Sequence, residues 1–154
     1  MKIIIDGDSA PAQKEIIETG KKHGIKVTVV LSTAHFSEKS EESYAEFVLV
    51  DSRPQEADIK IMNLALSGDI VVTNDTPLAY MLQSKGARVV NSRGIMVTDN
   101  DMRSGMEILH EEKKLRRSRK IKKTGIKGPR KYTHGDITRL INSIEKAISE
   151  GGLN

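Results

Sequence analysis

Five short apolar runs punctuate the chain, at 2–6, 27–31, 47–50, 70–73 and 88–90. None alternates apolar with polar positions, as a strand with one wet face would. Each is apolar almost throughout, the pattern of strands covered on both faces in a parallel sheet. Between the runs the apolar spacing becomes helical, with recognisable ends. Ser9 and Pro11 open and cap the first helix, which runs to about His23 before Gly24; Pro54 opens the second, which ends at Gly68; Asp75, Thr76 and Pro77 open the third, which ends at Gly86. Asp99 or Asn100 caps a fourth, predicted over 102–117, and a last one at about 135–149 aligns Ile137, Leu140, Ile141, Ile144 and Ile148 on one face. A serine-rich stretch, 32–43, reads as a mobile connection. The order predicts an α/β fold: a three-layer α/β/α sandwich around a mostly parallel sheet of about five strands. A chain of 154 residues without internal repeats is expected to form a single domain, 1–154.

Composition narrows the chemistry. The chain has no cysteine, which excludes disulfides and cysteine-ligated zinc or iron–sulfur centres. Its start is too soon charged for a signal peptide and no run reaches membrane-spanning length, so no membrane partner and a cytoplasmic location are expected. The overall charge of +4 conceals segregation: residues 110–131 hold eleven cations against two anions, a net +9, and the remainder carries −5. Such a basic strip, read as a loop at about 113–131 with Arg116, Arg117, Arg119, Lys120, Lys122, Lys123, Lys127 and Arg130, is the footprint expected for a polyanion such as nucleic acid.

In an open parallel sheet, ligands bind beyond the carboxyl ends of the strands. Asp6 and Asp8 follow the first predicted strand, Asp51 the third and Asp75 the fourth, while Asp58 lies one turn into the second helix. Asp69 precedes its strand and falls on the opposite edge. Clustered carboxylates without cationic neighbours repel one another, and either proton uptake or a hard divalent cation relieves them. Oxygen-only ligands suit Mg²⁺ or Mn²⁺ rather than zinc, and such ions promote in-line phosphoryl displacement. Gly7 is read as the turn that keeps Asp8 at the rim.

Several motifs, in this order, resemble the YaiI/YqxD family of bacterial proteins: "IDGDSAP" at 5–11, "EAD" at 56–58, "GDIVVTNDTPLA" at 68–79, "GARVVNSRG" at 86–94 and "KGP" at 127–129. That family is placed with the PIN-like nucleases. The resemblance implies a metal-dependent ribonuclease fold with Asp6, Asp58 and Asp75 as primary ligands and Asp8 as a fourth; Asp51 lies outside the pattern. The chain departs from the family at Ala10, where a cysteine is common, at Ser92, where a proline is common, and in a thinner glycine turn before Pro129.

The leading expectation is therefore a Mg²⁺- or Mn²⁺-dependent nuclease acting on RNA, with Asp6, Asp58 and Asp75 catalytic; a homodimer is left open. Two alternatives stand beside it. One is a non-catalytic RNA-binding module whose acids only cap helices. The other is a haloacid-dehalogenase-like phosphatase, suggested by "IIIDGDS" but lacking a strand-end lysine and a later acidic pair. Arg93, after the fifth strand, is read either as a phosphate contact or as the partner of a rim aspartate. Thr73 and Asn74 are read either as binding a metal-bound water or, the favoured reading, as capping the third helix; Asp136 is read as a dipole-favoured acid in the last helix, and His23, His35, His110 and His134 as surface residues. Tyr44 and Tyr132 offer little for base stacking.

Overall fold

A computed structural model describes residues 1–36, 44–101 and 130–152. The apolar runs become five strands, β1 (Ile3–Asp6), β2 (Val27–Ser32), β3 (Glu46–Val50), β4 (Ile70–Val72) and β5 (Arg88–Val90), all parallel and ordered β3-β2-β1-β4-β5. Among the described residues, four helices flank them: α1 (Gln13–Lys22), α2 (Glu56–Leu64), α3 (Thr76–Ser84) and α4 (His134–Gly151). Successive strand residues point to opposite faces, and both faces are covered. Ile3, Ile5, Val27, Val29 and Val72 pack with Ile16 of α1 and Leu140 and Ile144 of α4. Ile4, Val30, Val71 and Val89 pack with Ile61 of α2 and Leu78 and Leu82 of α3. The result is the three-layer sandwich, each fully buried aliphatic side chain contributing about 1.5–3 kcal/mol.

Four local expectations are corrected. β3 is an edge strand paired only with β2, and its residues are partly or fully exposed rather than covered on both faces. α1 starts later than Ser9 and Pro11: its N-cap is Ala12 in the left-handed region (φ 60°), with no side-chain cap, because Ser9 is engaged elsewhere. α2 is shorter than the predicted 54–68, closing at Leu64. Residues 99–101 are helical, but Thr98 and Asp101 form the reciprocal cap there instead of Asp99 or Asn100. The helix predicted over 102–117 lies wholly outside the described residues, as does most of the serine-rich connection.

Gly24 and Gly86 end α1 and α3 as expected, with positive φ of 64° and 92°. Gly7 serves close approach more than turning: a Cβ there would stand 2.9 Å from the Val30 carbonyl oxygen of β2. Among the described residues, no helix is long and apolar enough to cross a membrane.

Candidate functional site

The strand order reverses direction at β1, whose neighbours are β2 on one side and β4 on the other. α1 leaves β1 toward one face of the sheet, while α2 and α3 cover the other. The carboxyl ends of β1 and β4 therefore border the crevice where open α/β sheets bind ligands. A cavity of about 350 Å³ opens there, and Asp6, Asp8, Asp51, Asp58 and Asp75 all line it.

Each acid reaches this cavity from a different element. Asp6 closes β1 and is only 3% exposed; its Oδ2 accepts from Ser9 Oγ and from Thr73 Oγ1, each at 2.7 Å. Asp8, on the loop after β1, accepts from Ser32 N at 3.1 Å and Ser32 Oγ at 3.2 Å, and pairs with His35 Nδ1 at 3.0 Å. Asp75 caps α3, its Oδ1 accepting from Leu78 N at 2.8 Å. Asp58 sits in the first turn of α2, where the helix dipole favours an anion. Among the described residues, no donor or cation is bonded to its carboxylate, to Oδ1 of Asp6 or to Oδ2 of Asp75. Asp6 and Asp75 thus each hold one oxygen in the protein and leave the other unbonded among the described residues, whereas Ser32 N reaches both oxygens of Asp8.

Electrostatics follow from this arrangement. Burial first, and then the charges of Asp75, Asp6 and Asp8, push the Asp58 carboxyl above its ordinary value. Asp51 is set apart, 67% exposed at its side chain and paired with Arg53 at 2.9 Å. Asp69 lies at the opposite edge, as expected, bound by Lys2 Nζ at 2.7 Å and by the backbone N–H groups of Lys2 and Leu66. Burial opposes its charge, but these donors together outweigh burial and hold its carboxyl below the usual range. Among the described residues, no three carboxylates or imidazoles stand close enough to hold one ion between them as placed.

The structure gives Thr73 and Asn74 other tasks than capping α3, which Asp75 does itself. Thr73 Oγ1 donates to Asp6 and accepts from Asp75 N at 3.1 Å, coupling the two acids. Asn74 donates from Nδ2 to Ser9 O at 2.8 Å and accepts at Oδ1 from Ser92 N at 3.0 Å, tying together the loops after β1, β4 and β5. His35 is a surface residue as expected, its side chain 62% exposed, and from there it pairs with Asp8. Only the polar step "TND" directly after an apolar strand hints at these bonds in the sequence.

Of the expected nucleic-acid contacts, Arg116, Arg117, Arg119, Lys120, Lys122, Lys123 and Lys127 lie outside the described residues. Arg93 and Arg130 meet at Asp136, not at a rim aspartate: Arg93 Nη1 lies 3.1 Å from Oδ2 and Arg130 Nη2 2.7 Å from Oδ1. Arg139, which the sequence did not single out, adds a third guanidinium at 2.7 Å. Asp136 does occupy the first turn of α4, in a reciprocal cap with Thr133, but it is fully buried. The Arg130 guanidinium, more than any other group, holds its carboxyl well below the usual range against the cost of burial.

Residues 4–150 match the model of the YaiI/YqxD family, described as uncharacterized. Among similar proteins, a UPF0178 protein of Bacillus cytotoxicus is 34% identical over 148 residues, 96% of this chain and 93% of its own length. A UPF0178 protein of Halalkalibacterium halodurans is 36% identical over 148 residues, covering 96% and 90%. One from Oceanobacillus iheyensis is 35% identical over 136 residues, covering 88% and 90%. No solved structure matches the chain.

Proposed function

The chain belongs to the YaiI/YqxD family, and we propose that it is a nuclease that hydrolyses phosphodiester bonds of RNA with the help of Mg²⁺ or Mn²⁺. The observation that carries this reading is the convergence of Asp6, Asp8, Asp58 and Asp75 on one cavity at the β1–β4 crevice, with Asp58 unpaired among the described residues and its proton affinity raised. Among the described residues, the two other buried carboxylates, Asp69 and Asp136, are neutralised by Lys2 and by arginines. These four, His35 beside Asp8 apart, face one another.

The donor set fits a hard cation, since every free atom is a carboxylate oxygen. Mg²⁺ commonly keeps several waters and takes only one or two carboxylates directly, so a site without three converging ligands suits it. Asp6, Asp58 and Asp75 would hold the ion, one or two of them directly and the rest, like Asp8, through its coordinated waters. When bound, the ion supplies Lewis acidity toward the phosphoryl oxygens and a water of lowered pKa. The chain's own residues do the positioning. Ser9 and Thr73 fix the rotamer of Asp6, the α3 N-terminus fixes Asp75, and Ser32 with His35 fixes Asp8. This pre-alignment removes reorientation from the cost of binding.

The test is cleavage of labelled single-stranded RNA with Mn²⁺ by the wild type and by Asp6→Asn. The reading predicts cleavage that EDTA stops and that Asp6→Asn lacks. Equal cleavage by both proteins, or none with either metal, refutes it. RNA binding without cleavage would instead favour the non-catalytic module, a reading consistent with the absence of three converging ligands among the described residues.

A further inference from the structure

The cluster around Asp136 contains more positive charge than it needs. One carboxylate, 0% exposed, receives Arg93, Arg130 and Arg139 as well as the N–H and hydroxyl of Thr133. Among the described residues, no second acid pairs with these arginines, so the group carries an excess of two positive charges. The excess faces solvent: the side chains of Arg130 and Arg139 are 53% and 60% exposed. A guanidinium has five N–H donors; Asp136 takes two from Arg130 and one from Arg139. The buried carboxylate thus fixes three guanidiniums from three separate segments with donors to spare, the arrangement suited to a phosphate.

We propose that the Asp136 cluster is a phosphodiester-binding subsite for the same nucleic-acid strand that enters the acidic cavity, a proposal that rests on the nuclease reading for the identity of its ligand. Arg130 and Arg139 contact the phosphate; Arg93 and Asp136 position them. Two features tie the subsite to the cavity. Gly94, with φ 80°, brings the turn after β5 against α4, where a Cβ would lie 2.7 Å from Leu140 N. A chain of hydrogen bonds then runs from Tyr132 Oη to Ser92 O, from Ser92 N to Asn74 Oδ1, from Asn74 Nδ2 to Ser9 O, and from Ser9 Oγ to Asp6. The anionic backbone is held at one end of the carboxyl edge while the acids act at the other.

The experiment measures binding of a labelled single-stranded RNA oligonucleotide to the full chain in EDTA, across a range of salt concentrations, by fluorescence anisotropy. Arg139→Gln and Arg130→Gln should each weaken binding severalfold and reduce the slope of log K against log salt by about 0.7, one single-strand phosphate contact. Arg139→Lys should restore the slope but not the full affinity, because a point charge lacks the fork. Lys22→Gln, which removes a surface ion pair with Glu145, should leave both unchanged. Wild-type affinity and slope in the two glutamine variants, or no RNA binding by the wild type, would overturn the proposal. Because EDTA prevents turnover, the nuclease reading fails separately: normal binding with no cleavage on adding Mn²⁺ removes that reading and leaves the subsite in place. Asp136→Asn is a poor first variant, since it risks the fold itself.

Discussion

Asp58 and Asp136 are both aspartates in the first turn of a helix, and their surroundings are opposite. Asp136 is enclosed and saturated: three arginines and a threonine bind it, and its proton affinity is depressed. Asp58 has no bonded partner among the described residues, four more carboxylates line its cavity, and its proton affinity is raised. The helix dipole favours both equally, so the dipole does not explain the difference. A carboxylate placed for stability acquires cations, whereas one left among its own kind is destabilising until a cation from solution arrives. On the function proposed above, the β1–β4 cavity would be the place where the chain forgoes stability for chemistry.

The largest expected effect is on activity. Asp58→Asn and Asp75→Asn should each reduce Mn²⁺-dependent RNA cleavage to below about 1% of wild type, while Asp69→Asn, at the Lys2-paired edge, should cleave normally at a temperature where it remains folded. Comparable loss in all three would erase the distinction between the two kinds of acid. Next is Thr73→Val, which keeps the shape of the side chain but removes the bond to Asp6. Supports of this kind are worth roughly 10–100-fold in metal affinity or activity, and a Mn²⁺ titration of cleavage rates would read the loss. A wild-type Mn²⁺ midpoint would mean that Asp6 needs no orientation.

Smaller and opposite effects are expected on stability. Without metal, Asp58→Asn should raise Tm, since it relieves repulsion, and Asp136→Asn should lower it. The pH dependences should also differ in sign. The folded carboxyl of Asp58 binds its proton more tightly than the ordinary value of 3.8, so wild-type stability relative to Asp58→Asn falls as pH rises through the window just above 3.8. The folded carboxyl of Asp136 lies below 3.8, so its contribution is full above that pH and is lost as pH falls beneath it. Thermal melts from pH 2.5 to 6 would show the two trends crossing; parallel trends would contradict the electrostatic contrast. Smallest of all, Asp51→Asn breaks only an exposed pair with Arg53 and should shift stability by less than about 0.5 kcal/mol, with cleavage unchanged.

Much of this was readable from residue pattern alone, for identifiable reasons. Uninterrupted apolar runs such as "IIIDG" and "DIVVT" encode strands covered on both sides, and glycines at 24 and 86 mark real helix ends because positive φ is needed there. Asp6, Asp8, Asp58 and Asp75 could be assigned to one rim because parallel strands all end on the same side. Side-chain engagement was not legible. Ser9 looks like a helix cap, yet it bonds Asp6, and α1 begins four residues later. Apolar β3 looks like an interior strand but is an edge, because strand order is set by tertiary packing and not by local pattern. The Asp136 cluster joins residues 93, 130, 136 and 139; Asp136 and Arg139 are one turn apart on α4, but Arg93 and Arg130 reach it from outside that helix, which local spacing does not reveal.

The central claim is that the four aspartates hold a divalent cation. A crystal of the protein soaked in Mn²⁺ and measured at the manganese edge tests it most directly. The account predicts an anomalous peak in the β1–β4 cavity among Asp6, Asp58 and Asp75, with Asp8 within reach of a coordinated water, and no peak in a crystal of Asp75→Asn. An empty cavity at saturating Mn²⁺, or a peak undisturbed by Asp75→Asn, would contradict it.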